Sequence, residues 1–226
     1  MYRGSHQRPL DIINPDSRSY GRLSVPAEYI ADYSPIRLVS VSADIRYLAI
    51  AGKVGFAHLS TSSGRWRVLE SLDTFDPSIL PEDIPHIPHV RGGLCWYNNI
   101  LLVGGDFGES HEVSSFVILA NCEVRLYHRN ATSMALTSWL HRESFNSSIL
   151  LMSLIGDSLL VYCQDNILYH FVIVQATETG HFNQTPPRLV QFGQINFKGI
   201  IHSPARVRAI SWILPDEHTS ISSTPR

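Results

Sequence analysis

The chain is poor in cysteine, in surplus charge and in long hydrophobic runs, and each shortage removes a class of function. Its three cysteines, Cys95, Cys122 and Cys163, are odd in number and far apart. A disulfide framework needs pairs and a structural zinc site needs C-x-x-C spacing, so the thiols read as buried and free, in a reducing compartment. Lys and Arg number 18 against 20 Asp and Glu, a net charge of -2. No bulk positive field draws a phosphate backbone, which argues against nucleic acid as a partner. No run reaches the ~18 apolar residues of a membrane-spanning helix. The opening Met1-Tyr2-Arg3-Gly4-Ser5-His6 has no apolar core of a secretory signal. Phosphate-cradling loops and dinucleotide fingerprints are missing as well, so no cofactor is expected.

What the chain does have is short strands. Hydrophobic residues make up 44% of its 226 positions, enough for a substantial core and too many for wholesale disorder. Ser34 to Trp66 reads SPIRLVSVSADIRYLAIAGKVGFAHLSTSSGRW. Ile36–Ser42, Tyr47–Ala51, Gly55–Ser60 and Arg65–Leu69 are apolar or alternating runs bounded by Gly, Ser or Asp, the signature of hairpin-linked antiparallel strands. Four such strands make one propeller blade. The pattern predicts an all-β fold, a partial WD-repeat-like β-propeller of roughly three blades.

The boundaries follow from composition. Residues 1–33 read as an irregular segment, and 34–216 as the partial propeller. A blade at about 36–69 is followed by a loop at 70–90, which holds Pro77, Pro81, Pro85 and Pro88. A second blade lies at about 92–129. A polar stretch at 130–147 has weak periodicity and room for a helical turn. A third blade follows at about 149–197, then the first strand of a further blade at 206–214 and a polar tail at 217–226. Hairpin turns are expected at Ala43–Ile45, Asn98–Asn99, Gly156–Asp157 and Gln164–Asn166, where Asn, Asp and Gly tolerate tight geometry. The turn acids Asp44, Asp157 and Asp216 follow comparable first strands, as a degenerate structural repeat would place them.

No motif carries chemistry convincingly. Gly156-Asp157-Ser158-Leu159 spells the nucleophile block of an esterase family, and Asp216-Glu217-His218 could tempt one to complete a triad. The residues after Ser158 are Leu-Leu-Val-Tyr, an apolar strand, so Ser158 reads as a strand start after a hairpin turn. His86 and His89 flank Ile87-Pro88, and the prolines forbid the helix that would align two metal ligands. His58 and His170 sit inside apolar strands and read as packed or edge histidines. Trp66, Trp96 and Trp212, with Tyr162, read as fillers of inter-blade faces. Arg206 and Arg208 alternate with apolar neighbours, as on the solvent face of a strand. No catalytic, cofactor-binding or metal residue is named.

The runs VRGGLCWYNNILLV, EVRLYHR, GDSLLVYCQDNILYHFVI, RLVQFGQI and IIHSPARVRAISWILPD follow Ser34–Trp66 in an order that resembles the Ric-one (ribosome control one) family, over about residues 25–216. The resemblance implies the large WD-repeat subunit of a guanine-nucleotide exchange complex for the Golgi Rab-six GTPase. Its partner would be the arrestin-like Rgp-one subunit. The place implied is the cytoplasm, peripheral on Golgi membranes, and the role endosome-to-Golgi retrograde transport. A generic WD-repeat scaffold without exchange activity is the alternative. Family members are several times longer, so this chain reads as a middle slice whose first and last blades each expose an inter-blade face. Such a slice is expected to associate or aggregate when alone. Two departures stand out. Ile45 occupies the turn position where glycine is expected. Val113–Glu123 interrupts the family pattern and reads as translated intron or a misplaced gene boundary, expected as a protruding loop or an added edge strand outside the regular blade pattern; a transcript that includes the whole segment would refute this.

Overall fold

Short apolar runs between turn-forming residues give twelve strands in the computed structural model, which describes residues 23–68, 87–108, 122–129, 139–175 and 186–212. Strands β1 (Leu38–Val41), β2 (Tyr47–Ala51), β3 (Phe56–Ser60) and β4 (Arg65–Val68) form the first sheet. The second contains β5 (His89–Tyr97), β6 (Ile100–Asp106), β7 (Cys122–His128) and β8 (Trp139–Phe145). The third contains β9 (Ile149–Ile155), β10 (Ser158–Cys163), β11 (Ile167–Val174) and β12 (Arg188–Asn196). Every pairing is antiparallel, and spatial order follows chain order within each sheet. The first strands β1, β5 and β9 lie side by side, so the sheets pack as successive propeller blades.

The expected hairpin turns are present. Asn98, Gly156 and Asn166 take φ of 48°, 57° and 68°. Ile45 takes φ of 60°, so the turn that lacks glycine keeps the left-handed backbone. Local bonds impose it. Ser42 Oγ donates to Asp44 Oδ1 at 2.6 Å, Arg46 N donates to the same oxygen at 3.1 Å, and Thr61 Oγ1 donates to Ile45 O at 2.9 Å. A β-branched residue in this region costs roughly 1–2 kcal/mol. Ile45 is exposed and leaves little packing to lose. Ile45→Gly is therefore expected to raise stability by about 1 kcal/mol, net of the glycine's extra unfolded-state freedom. A urea midpoint that stays level or falls would refute this.

Four expectations are corrected. Residues 27–33, within the segment read as irregular, form a helix, α1 (Ala27–Tyr33). So short a helix is marginal alone and depends on tertiary packing. Tyr29 and Tyr33, one turn apart with rings 5.0 Å between centroids, bury against Leu48, Ile50 and Leu59 of the first blade. Gly52 makes the close approach possible, because a Cβ there would collide with the Tyr33 carbonyl oxygen.

The polar stretch 130–147 contains β8, the fourth strand of the second blade. Its charges suit an outermost strand, where they guard an edge. The proposed insertion overlaps β7: Cys122 and Glu123 pair with Phe145 and Ser144, so both belong to the blade. The rest of that segment, including Phe116–Leu119, lies outside the described residues. Finally, the strand expected at 206–214 is absent over its described part. Pro204–Arg206 is a 3-10 turn, and 207–212 have no regular structure. Alternation makes a strand only where another strand pairs with it, and among the described residues none does.

The outer faces of the terminal blades, expected to be open, are covered in part. Helix α1 covers much of the first blade's outer face. Leu160 and Tyr162, on the third blade's outer face, are buried. The following segment is tied to that blade: Asn166 Nδ2 donates to Ile201 O at 2.9 Å, and Trp212 packs 5.0 Å from the His170 ring. Among the described residues, exposed apolar side chains remain at Val39 and Val41 on the first blade, and at Val174, Val190, Phe192, Ile195 and Ile200 on and after the third.

Candidate interaction surface

The two interfaces between blades differ in chemistry, and the period of two along β7 shows how. Cys122, Val124 and Leu126 point towards the third blade. They join Leu102, Leu159, Val161 and Phe171 in an apolar core. Glu123, Arg125 and Tyr127 point the other way, towards the first blade, where Tyr127 packs with Phe56, Ala49, Leu101 and Val103.

This second face is a polar seam. Arg125 Nε donates to Glu123 Oε2 at 2.7 Å, both side chains nearly buried, and the Arg125 guanidinium lies 4.1 Å from the Phe107 ring centroid. Arg142 reaches Glu123 Oε1 at 3.7 Å from its more exposed position and stacks over Trp139 at 5.1 Å. Burial pushes the Tyr127 hydroxyl up to about 12. Further along the seam, the Tyr47 and Trp96 rings pack at a tilt, 5.3 Å between centroids, and Arg129 donates to the Tyr47 hydroxyl. Arg67 Nη1 donates to the Arg129 carbonyl at 3.3 Å, linking β4 to the end of β7. His58 lies buried among them.

Of the aromatic residues read as inter-blade fillers, Trp96 takes that place, between the first and second blades. Trp66 instead packs beside α1 on the first blade, and its Nε1 donates to Ser24 O at 2.8 Å. Trp212 lies outside any strand. Tyr162 is buried in β10, its hydroxyl donating to Asn166 Oδ1 at 2.6 Å. Trp139 was not singled out from the sequence. Neither was the Glu123–Arg125–Arg142 cluster. Its signal was there: Glu-Val-Arg in a strand puts an acid and a base on one face.

Ser158 opens β10 opposite Ile155 in a hairpin, a place that gives its hydroxyl no strand-to-helix elbow. Asp216, Glu217 and His218 lie outside the described residues, as does His86. His89 begins β5 and is exposed. His170 is half-buried in β11, between Phe192 and Trp212. Arg206 and Arg208 are exposed but stand on no strand. Burial raises the thiols of Cys95 to about 11 and of Cys163 to about 12, which leaves them poor nucleophiles. Among the described residues no group of His, Cys, Asp and Glu is placed to hold a metal ion, and no helix is long and apolar enough to cross a membrane. The arrangement offers surfaces for binding.

A family model described as the RIC1 second beta propeller domain matches residues 1–225. The chain belongs to this family. In a RIC1 second propeller the three sheets are blades, and the polar seam is the joint between two of them. The Schizosaccharomyces pombe relative, named guanine nucleotide exchange factor subunit ric1, is 28% identical over 203 residues, 89% of this chain and 17% of the relative. The Homo sapiens relative of that name, RIC1, is 24% identical over 149 residues, 66% of this chain and 9% of its own length. The chain thus spans under a fifth of the curated relatives it matches. Among solved structures, Kluyveromyces marxianus Hsv2 aligns with a TM-score of 0.44 and 13% identity, over 72% of this chain and 46% of that one.

Proposed function

We propose that this chain is part of a non-catalytic subunit of a guanine-nucleotide exchange complex. Its GTPase would be of the Rab-six type, its partner an Rgp-one-like arrestin-fold subunit, and its place the cytoplasmic face of Golgi membranes, in endosome-to-Golgi retrograde transport. The observation that carries the reading is the family match along nearly the whole chain, joined to relatives named as exchange factor subunits. The blade architecture agrees with it. An exchange factor works by binding the nucleotide-free GTPase better than the loaded form, and this differential affinity needs shaped surfaces, not a catalytic side chain.

The test is release of a fluorescent guanine nucleotide from the GTPase, with chain and partner subunit added singly and together. Faster release only with both present supports the reading. No acceleration from a pair that co-purifies would leave a generic scaffold.

A further inference from the structure

His58 sits in the middle of β3, 4% exposed, on the same strand face as Phe56 and turned towards the second blade. Its ring meets Trp96 of β5 edge-on, at 5.9 Å and 88°. Among the described residues neither ring nitrogen has a hydrogen-bond partner. The groups facing it are known from each neighbouring strand. On β4 its cross-strand partner is Arg67. On β2 it pairs with uncharged Ala49, with Tyr47 further along that face. Past the end of β7 stands Arg129, whose guanidinium lies 5.0 Å from the Tyr47 ring centroid and whose carbonyl takes the Arg67 bond. The seam's buried carboxylate, Glu123, is bonded to Arg125. A neutral imidazole fits this setting. An imidazolium would be a buried cation across the strands from Arg67 with no acid bonded to it among the described residues, and a buried charge without a partner is costly.

We propose that His58 is a proton-sensitive joint: taking up a proton loosens the first blade from the second and leaves the second packed on the third. On the face that meets the third blade, His128 opposite Ile100 and His141 opposite Leu126 are only half-buried, and His141 lies 3.7 Å from the Glu143 carboxylate, so neither is sealed in as His58 is and this interface should be spared. The inference does not depend on the exchange reading.

The sign follows from linkage. Burial, and then Arg67, lower the His58 pKa from 6.5 to about 4. Between those values the open state binds the proton and the packed state does not, so packing weakens as pH falls through this window. Above 6.5 the stabilisation is fully present. The expected change in the opening equilibrium between pH 7 and pH 4.5 is on the order of fiftyfold.

The experiment is native-state hydrogen exchange on the full chain at pH 7 and below pH 5.5, corrected for intrinsic rates, beside His58→Phe. Selective acid opening of β2, β3 and the Trp96 end of β5, with β9–β11 unchanged and the effect abolished in His58→Phe, supports the joint. Equal opening at both interfaces, or the same acid response in the variant, overturns it. A direct NMR titration of His58 in the unmodified chain covers the case where the variant misfolds: an imidazole that titrates at 6 or above also overturns it.

Discussion

Glu123→Ala is expected to destabilise the chain by about 3 kcal/mol or more, among the largest effects of any single substitution here. The carboxylate is 6% exposed and Arg125 12%, so removing the acid takes the 2.7 Å charge-assisted bond from a guanidinium held at the closed seam. Arg142 cannot take over, being a cation itself. The net worth of the pair is a separate quantity. Burying two charges costs desolvation that their attraction only partly returns, so replacing both by apolar side chains of similar volume is often neutral. Glu123→Leu combined with Arg125→Met should therefore recover most of the lost stability. Urea denaturation of the single and double variants checks both statements. A single variant within about 0.5 kcal/mol of the parent would mean that the pair is open to water.

Gly92→Val is expected to cost about 3 kcal/mol, by prising the second and third blades apart. Gly92 lies in β5, where that strand runs beside β9, and an added Cβ would stand 2.8 Å from the Ile149 Cβ and closer still to its Cγ2. Ile149 is buried, and a β-branched side chain has little freedom to rotate aside. The strain must go into separating the strands, which loosens the apolar core behind them. Ile149→Ala alone should cost roughly 2–5 kcal/mol as a cavity. Made together, the two substitutions should cost clearly less than their sum, because the valine fills space the isoleucine leaves. Strict additivity in denaturation midpoints would show that the inner strands do not touch at this point.

The strands that could be read in advance were those whose apolar runs end in turn residues. Tyr47–Ala51, Phe56–Ser60, Ser158–Cys163 and Ile167–Val174 lie centrally in their sheets, and their burial leaves little choice of residue. The elements that escaped lie at edges and ends. β8 carries His141, Arg142 and Glu143, because an outermost strand faces water and its side chains need not alternate cleanly. Helix α1 has seven residues and no capping side chain, so its local signal is weak. The overlap of the presumed insertion with β7 has a simple cause. In a chain lacking residues 113–123, Glu112 would directly precede Val124, the place Glu123 holds here. Either glutamate could supply the acid opposite Arg125, so strand patterning alone does not mark where the blade resumes.

By itself the sequence determined the blade class, the antiparallel hairpins and their turns, since these depend on residues a few positions apart and on a period of two. It also carried the family likeness, which is written in the order of the strands. Tertiary structure decided which face of each strand meets which blade. Glu123, Arg125 and His58 look like ordinary strand residues until two sheets close over them, because the cost of a buried charge depends on what lies across the interface and not on neighbours in the chain.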